Sequence, residues 1–176
     1  MEPVFRAWYE RKMLASPELV AETEFVRQLL AKIRRIAIVG ISKEEHRDSH
    51  YVGRYLRHVG YEIIPVNPGS KTILGEPCYP NLKAIPVSVD AVDIFRKPSD
   101  ILGVVDQAIE IGAKVIWLQL GTGTHPEAKR RAEDAGRIFI QNRCMKVDHQ
   151  FLIRTPPYQS HHVHLRQKEL EYEHQW

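Results

Sequence analysis

The sequence predicts an α/β fold, a doubly wound parallel five-stranded sheet, from three observations. Five short apolar runs recur along the chain, at 36–39, 61–66, 91–95, 115–120 and 137–140. Segments with helical spacing separate most of them. The first run breaks at Gly40 into a small polar turn, Gly40-Ile41-Ser42. Continuous apolar runs, as opposed to alternating ones, belong to strands buried on both faces, as in a parallel sheet covered by helices. With right-handed crossovers, the expected strand order is 3-2-1-4-5.

Each element has its own signal. Residues 1–34 read as a helical extension. Ser16-Pro17-Glu18 is a helix start, with a capping hydroxyl, a proline in the first turn and an early acid. Leu19, Phe25, Val26, Leu29, Leu30 and Ile33 then repeat at three-to-four spacing and form one apolar face, suited to the sheet or to a second subunit. Strand one is Ile36–Val39. A helix from Ser49 to His58 follows, and Gly60 stops it. Strand two is Tyr61–Val66. Residues 73–77 read as a loop, and Tyr79-Pro80-Asn81-Leu82 opens a short helical turn. Strand three is Ala91–Phe95. Pro98-Ser99-Asp100 starts a helix that ends at Gly112. Strand four is Val115–Leu120. His125-Pro126-Glu127 opens a helix that ends at Gly136, and strand five is Arg137–Ile140. The pattern is lost after Thr155-Pro156-Pro157. The expected division is an extension (1–34), an α/β domain (35–153) and a tail (154–176).

Composition narrows the function classes. The chain has 176 residues, 43% hydrophobic and 27% charged, which suits one globular domain with a sizeable core. No apolar run approaches the ~20 residues that span a bilayer. The N-terminus lacks the apolar stretch of a secretory signal. Two cysteines, Cys78 and Cys144, make no disulfide framework, so a cytoplasmic setting is expected. A net charge of +3 is too small to argue for nucleic acid, yet it suits a small polyanion if the cations gather at one place.

In an open parallel sheet that place lies beyond the carboxyl ends of the strands. The five loops there carry Gly40, Ile41, Ser42, Arg47 and Ser49; Asn67, Pro68 and Lys71; Arg96; Gln119 and Gly121; Asn142 and Arg143. Amides at a helix start, hydroxyls and cations are the groups that hold phosphate. The usual dinucleotide fingerprint Gly-x-Gly-x-x-Gly is absent, as is the P-loop. A dinucleotide site ends its second strand on an acid that holds the ribose hydroxyls. Here Asn67-Pro68 stands in that position. The loops thus favour a phosphorylated adenine nucleotide other than NAD.

Further motifs follow in order: Val39-Gly40-Ile41-Ser42, Arg47-Asp48-Ser49, Ile64-Pro65-Val66-Asn67-Pro68, Ile73-Leu74-Gly75, Tyr79-Pro80-Asn81-Leu82, Ile94-Phe95-Arg96, Ile116-Trp117-Leu118-Gln119 and Asn142-Arg143-Cys144. Over about residues 35–149 the chain resembles the stand-alone CoA-binding proteins, which are similar to the CoA-binding domain of the succinyl-CoA synthetase α subunit. The resemblance implies a Rossmann-like domain that binds CoA or an acyl-CoA through its adenosine and phosphate portion. It implies Gly40-Ile41-Ser42 at the pyrophosphate, Asn67-Pro68 and Lys71 by the adenosine and its ribose phosphate, and Arg96 on a phosphate. Gln119, Gly121, Asn142 and Arg143 would close the far side. The synthetase's phosphorylated histidine lies in a second domain for which this chain leaves no room. A non-catalytic or partner-dependent CoA-binding module is the expectation. The N-terminal helix and the tail are surfaces for a second copy or a protein partner.

Two other features compete. Cys144 with His149 forms the alternative, an acyl-CoA transferase or NAD(P)-linked reductase. His161-His162-x-His164 has ligand-like spacing but no fourth partner, so no metal is expected. Of the histidines near the first helix, only His50 lies close enough to its start to face a phosphate. Asp90, Asp93, Asp100 and Asp106 make no catalytic motif, and Asp100 reads as a helix-start residue.

Overall fold

The computed structural model describes residues 17–153. Its backbone forms two compact units. One, Ile33–Val147, holds the sheet. The other takes in helix α1 (Pro17–Lys32) and, among the described residues, 148–153. In α1, Val26, Leu29 and Leu30 are buried, as their spacing predicts, whereas Phe25 is half exposed. The Ser16 cap and the histidine motif at 161–164 lie outside the described residues.

The sheet unit contains strands β1 (Arg35–Val39), β2 (Glu62–Val66), β5 (Ala91–Ile94), β6 (Val115–Leu118) and β7 (Ile138–Gln141). All four pairings are parallel. Helices α2 (Asp48–His58), α3 (Pro98–Glu110) and α4 (Pro126–Asp134) alternate with them, and α5 (Met145–Leu152) follows. Val92, Ile94, Ile116 and Leu118 share a core with Ile101 and Val105 of α3 and Ala128 of α4. Each such aliphatic side chain contributes roughly 1.5–3 kcal/mol on burial. On the other face, Gly53 lets α2 lie close. A Cβ there would press on the ends of Ile38, Ile41 and Leu74.

The five-stranded parallel sheet is as expected, but its order is not. The strands run β2-β1-β5-β6-β7, that is 2-1-3-4-5 rather than 3-2-1-4-5. The third strand cannot lie outside the second, because that edge is already taken. Tyr79 bridges to Val66 there, its amide donating to the Pro65 carbonyl while its carbonyl accepts from Asn67 N–H. The third strand is drawn instead to the far side of β1. One Asp90 carboxylate oxygen accepts both the Arg34 and Arg35 amides at 2.9 Å, and Arg35 donates to the Ser88 carbonyl. Pro65 is the sequence signal for this arrangement. A proline cannot donate to a ladder and belongs on an edge strand.

Residues 73–77, expected as loop, carry a small hairpin, β3 (Thr72–Ile73) with β4 (Glu76–Pro77). Its two-residue turn, Leu74-Gly75, has both φ angles positive, the mirror-image turn that suits hairpins. Strand four stops at Leu118, not Leu120, because the Gln119 carbonyl is captured by the Thr122 amide and hydroxyl. Among the described residues no helix is long and apolar enough to cross a membrane, and no group of acids, histidines and cysteines could hold a metal.

Candidate functional site

The strand order places the topological switch between β1 and β5, and the loops after these two strands meet. Gly40 follows β1 with φ +84°, a conformation that L side chains rarely adopt. A Cβ on it would lie inside the contact distance of the Phe95 carbonyl oxygen and against Arg96 Cδ. Ladder bonds continue to this point, with Gly40 N–H on the Val66 carbonyl (2.9 Å) and Phe95 N–H on the Val39 carbonyl (2.8 Å). The first three loops are therefore in contact at the mouth of a crevice.

Helix α2 starts at that mouth. Arg47 occupies its N-cap position without a side-chain cap. The amides of Asp48, Ser49 and His50 have no acceptor within the helix, as at any helix start, so the positive end of the helix faces the crevice. Ser49 is buried and its Oγ accepts the Ser42 amide at 3.0 Å. His50 is buried and its Nδ1 lies 2.9 Å from the Ser42 carbonyl, so Nδ1 carries the proton. Both residues shape the turn from inside. Ile41 is fully buried and offers the crevice only its backbone.

Asn67 holds the second loop to the first. Its Nδ2 donates to the Ile41 carbonyl at 2.8 Å and its Oδ1 accepts the Gly69 amide at 2.8 Å. Only an amide side chain can do both, since a carboxylate cannot donate. This is why no acid stands there. Pro68 and Lys71 are exposed beyond it.

Lys43, Arg47 and Lys71 carry no ion pair among the described residues. Arg96 does. Its Nε and Nη2 both donate to Asp100 Oδ2, at 3.1 and 2.5 Å, and this guanidinium holds Asp100 below the usual carboxylate range. Asp100, read from sequence as a helix-start residue, also orients Arg96 at the crevice.

The last two loops form the far wall. Gly121 N–H approaches Asn142 Oδ1 at 3.5 Å, and His125 N–H donates to Gln141 Oε1 at 3.3 Å. Asn142 is left-handed, with φ 57°. The Arg143 carbonyl accepts the Trp117 indole N–H at 2.8 Å. Gln119, expected to face a ligand, turns inward instead. It is 3% exposed and its Nε2 donates to Asp93 Oδ2 at 3.2 Å.

Asp93, which makes no motif in the sequence, has a distinct environment in the fold. It is fully buried in the middle of the sheet, and burial pushes its carboxyl up to about 7 against the pull of the Gln119 amide. An acid inside a strand gives no signal of its own until the register sets Gln119 beside it.

Residues 34–150 match the family described as CoA binding domain. The chain belongs to that family. Uncharacterized protein YneT of Bacillus subtilis is 37% identical over 124 residues, covering 70% of this chain and 91% of that one. A solved hypothetical protein from Pyrococcus horikoshii OT3 is 40% identical, with a TM-score of 0.72, over 74% of this chain and 92% of its own. Acetate–CoA ligase [ADP-forming] I of Archaeoglobus fulgidus is 36% identical over 55 residues, or 31% of this chain and 8% of the ligase. In CoA binding domain terms, the crevice at the β1/β5 switch is the candidate site. It brings together Gly40, Ser42, Arg47, Asn67 and Arg96, with Gly121 and Asn142 opposite.

Proposed function

We propose that this crevice binds CoA or an acyl-CoA by its adenosine and phosphate end. Membership of the CoA binding domain family supports a CoA module. The observation that carries the finer reading is the pairing of Asn67 with exposed cations. Asn67 is spent on two internal hydrogen bonds, which removes the carboxylate an NAD ribose would need. Lys43, Arg47 and Lys71 are exposed and carry no ion pair among the described residues, and Arg47 stands at the start of α2. A ligand with several phosphates, one of them on the ribose, fits that balance.

The module has no ligation chemistry of its own and works with a partner. The acetate–CoA ligase relative supports this, because the matched stretch is only 8% of that larger enzyme. The setting is cytoplasmic, residues 35–153 are the binding domain, and the flanking segments offer the partner surface.

Calorimetric titration with CoA, acetyl-CoA, NAD and ATP tests the reading. CoA should bind stoichiometrically, and Lys71→Ala or Arg96→Ala should weaken it about tenfold each, equivalent to losing ~1.4 kcal/mol of charge-assisted bonding. Binding of NAD in preference to CoA would overturn it.

A further inference from the structure

One buried polar pair reaches from the middle of the sheet into the far wall. Asp93 is the only titratable side chain in β5 or β6, and it is fully buried. Its register partners are Ile38 and Trp117. A carboxyl among such neighbours is costly to bury, and an aliphatic residue would fill the place without that penalty. Asp93 Oδ2 accepts the Gln119 Nε2–H at 3.2 Å, but Oδ1 has no hydrogen-bond partner among the described residues. Stability alone therefore does not explain the pair.

What the pair does is hold a loop. Gln119 follows the last residue of β6, where the chain turns into the far wall. Its Oε1 accepts the Leu120 amide at 3.3 Å. Its carbonyl accepts the Thr122 amide at 3.2 Å and the Thr122 hydroxyl at 2.8 Å. Thr122 is buried in turn, and its carbonyl accepts from His125 Nε2 at 2.7 Å. Side chain and backbone of Gln119 thus fix the segment from Leu120 to His125. Leu120 stands out from it, 65% exposed although large and apolar. Residues 120–124 carry no charge, whereas Arg47, Lys71 and Arg96 stand in the first three loops. A charge-free loop with an outward leucine suits an uncharged chain of methylenes, methyls and amides better than a phosphate.

We propose that Asp93 and Gln119 are positioning residues that set this loop against the uncharged pantetheine arm of CoA. Neither touches the ligand. The inference rests on the CoA reading above and deepens it: the cations hold the phosphate end, and the far wall reads the arm. A loop fixed before the ligand arrives loses less freedom on binding, which is how a buried pair can raise affinity.

Calorimetry of the whole protein with CoA and with adenosine 3′,5′-bisphosphate, which lacks the arm, tests this. The unsubstituted protein should bind CoA more tightly. Asp93→Val removes the acceptor and leaves an aliphatic strand. It should weaken CoA about tenfold and the bisphosphate by less than about twofold, with the Tm unchanged or higher. Asp93→Asn, whose amide oxygen can still accept from Gln119, should restore most of the CoA affinity. Equal weakening of both ligands by Asp93→Val would overturn the proposal, and so would an unchanged affinity for CoA. CoA binding no tighter than the bisphosphate would also overturn it, while the phosphate-end reading stands. Absence of any CoA binding would overturn both. Should Asp93→Val fail to fold, Gln119→Met cuts the same bond from the other side and is read against the same outcomes.

Discussion

Asn67 and Gly40 show how single side chains set the mouth of the crevice. Asn67→Asp keeps the bond from Gly69 but loses the donor to Ile41, and sets a carboxylate against a carbonyl oxygen. Loss of about 1–3 kcal/mol is expected in urea unfolding, together with weaker CoA binding by calorimetry. Gly40→Ala should cost at least ~2 kcal/mol, since positive φ and the clash with Phe95 act together. Thermal melts with and without CoA would show both the lost stability and the disturbed loop. Both residues stand in loops that the sequence marks as the candidate site. The internal role of Asn67 was not, because it depends on where the Ile41 carbonyl points. Gln119 illustrates the same limit. It lies in the right loop, yet a buried acid from the neighbouring strand claims its side chain.

The elements were more legible than their arrangement. Apolar periodicity and proline-led starts located α3 and α4 where the structure has them, at Pro98 and Pro126. The 72–77 hairpin was missed because Leu74 hides its turn. A leucine at φ 56° is a rare tenant of that conformation. The edge pairing of Tyr79 with β2 gives a direct prediction. Tyr79→Pro removes the amide that serves the Pro65 carbonyl, at a cost of about 1–2 kcal/mol. Native-state hydrogen exchange should then show the Asn67 amide losing protection while β5 and β6 keep theirs. Loss of protection throughout the sheet would mean that this edge also supports the central strands.

For the sheet unit as a whole, pH and ligand are the levers. The Asp93 carboxyl is raised from an ordinary 3.8 to about 7 in the folded chain. Between these values the unfolded chain has released a proton that the folded chain keeps. Stability therefore falls as pH rises through this window, by at most about 1.4 kcal/mol per pH unit, and levels off above it. Urea midpoints across pH 4 to 8 would show that slope, and Asp93→Asn should flatten it. CoA at a hundredfold over its Kd should add about 2.7 kcal/mol, seen as a higher Tm. By itself the sequence determined neither the 72–77 hairpin nor helix α5, but it did determine the five strands of the parallel sheet, the helices between them, the polar loops and the missing acid at position 67. These follow from local periodicity, backbone chemistry and side-chain type. Only the tertiary structure decided the strand order, the inward turn of Gln119 onto Asp93 and the meeting of Trp117 with the Arg143 carbonyl. Each depends on which edge is free and which residues share a register, and those are contacts between segments far apart in the chain.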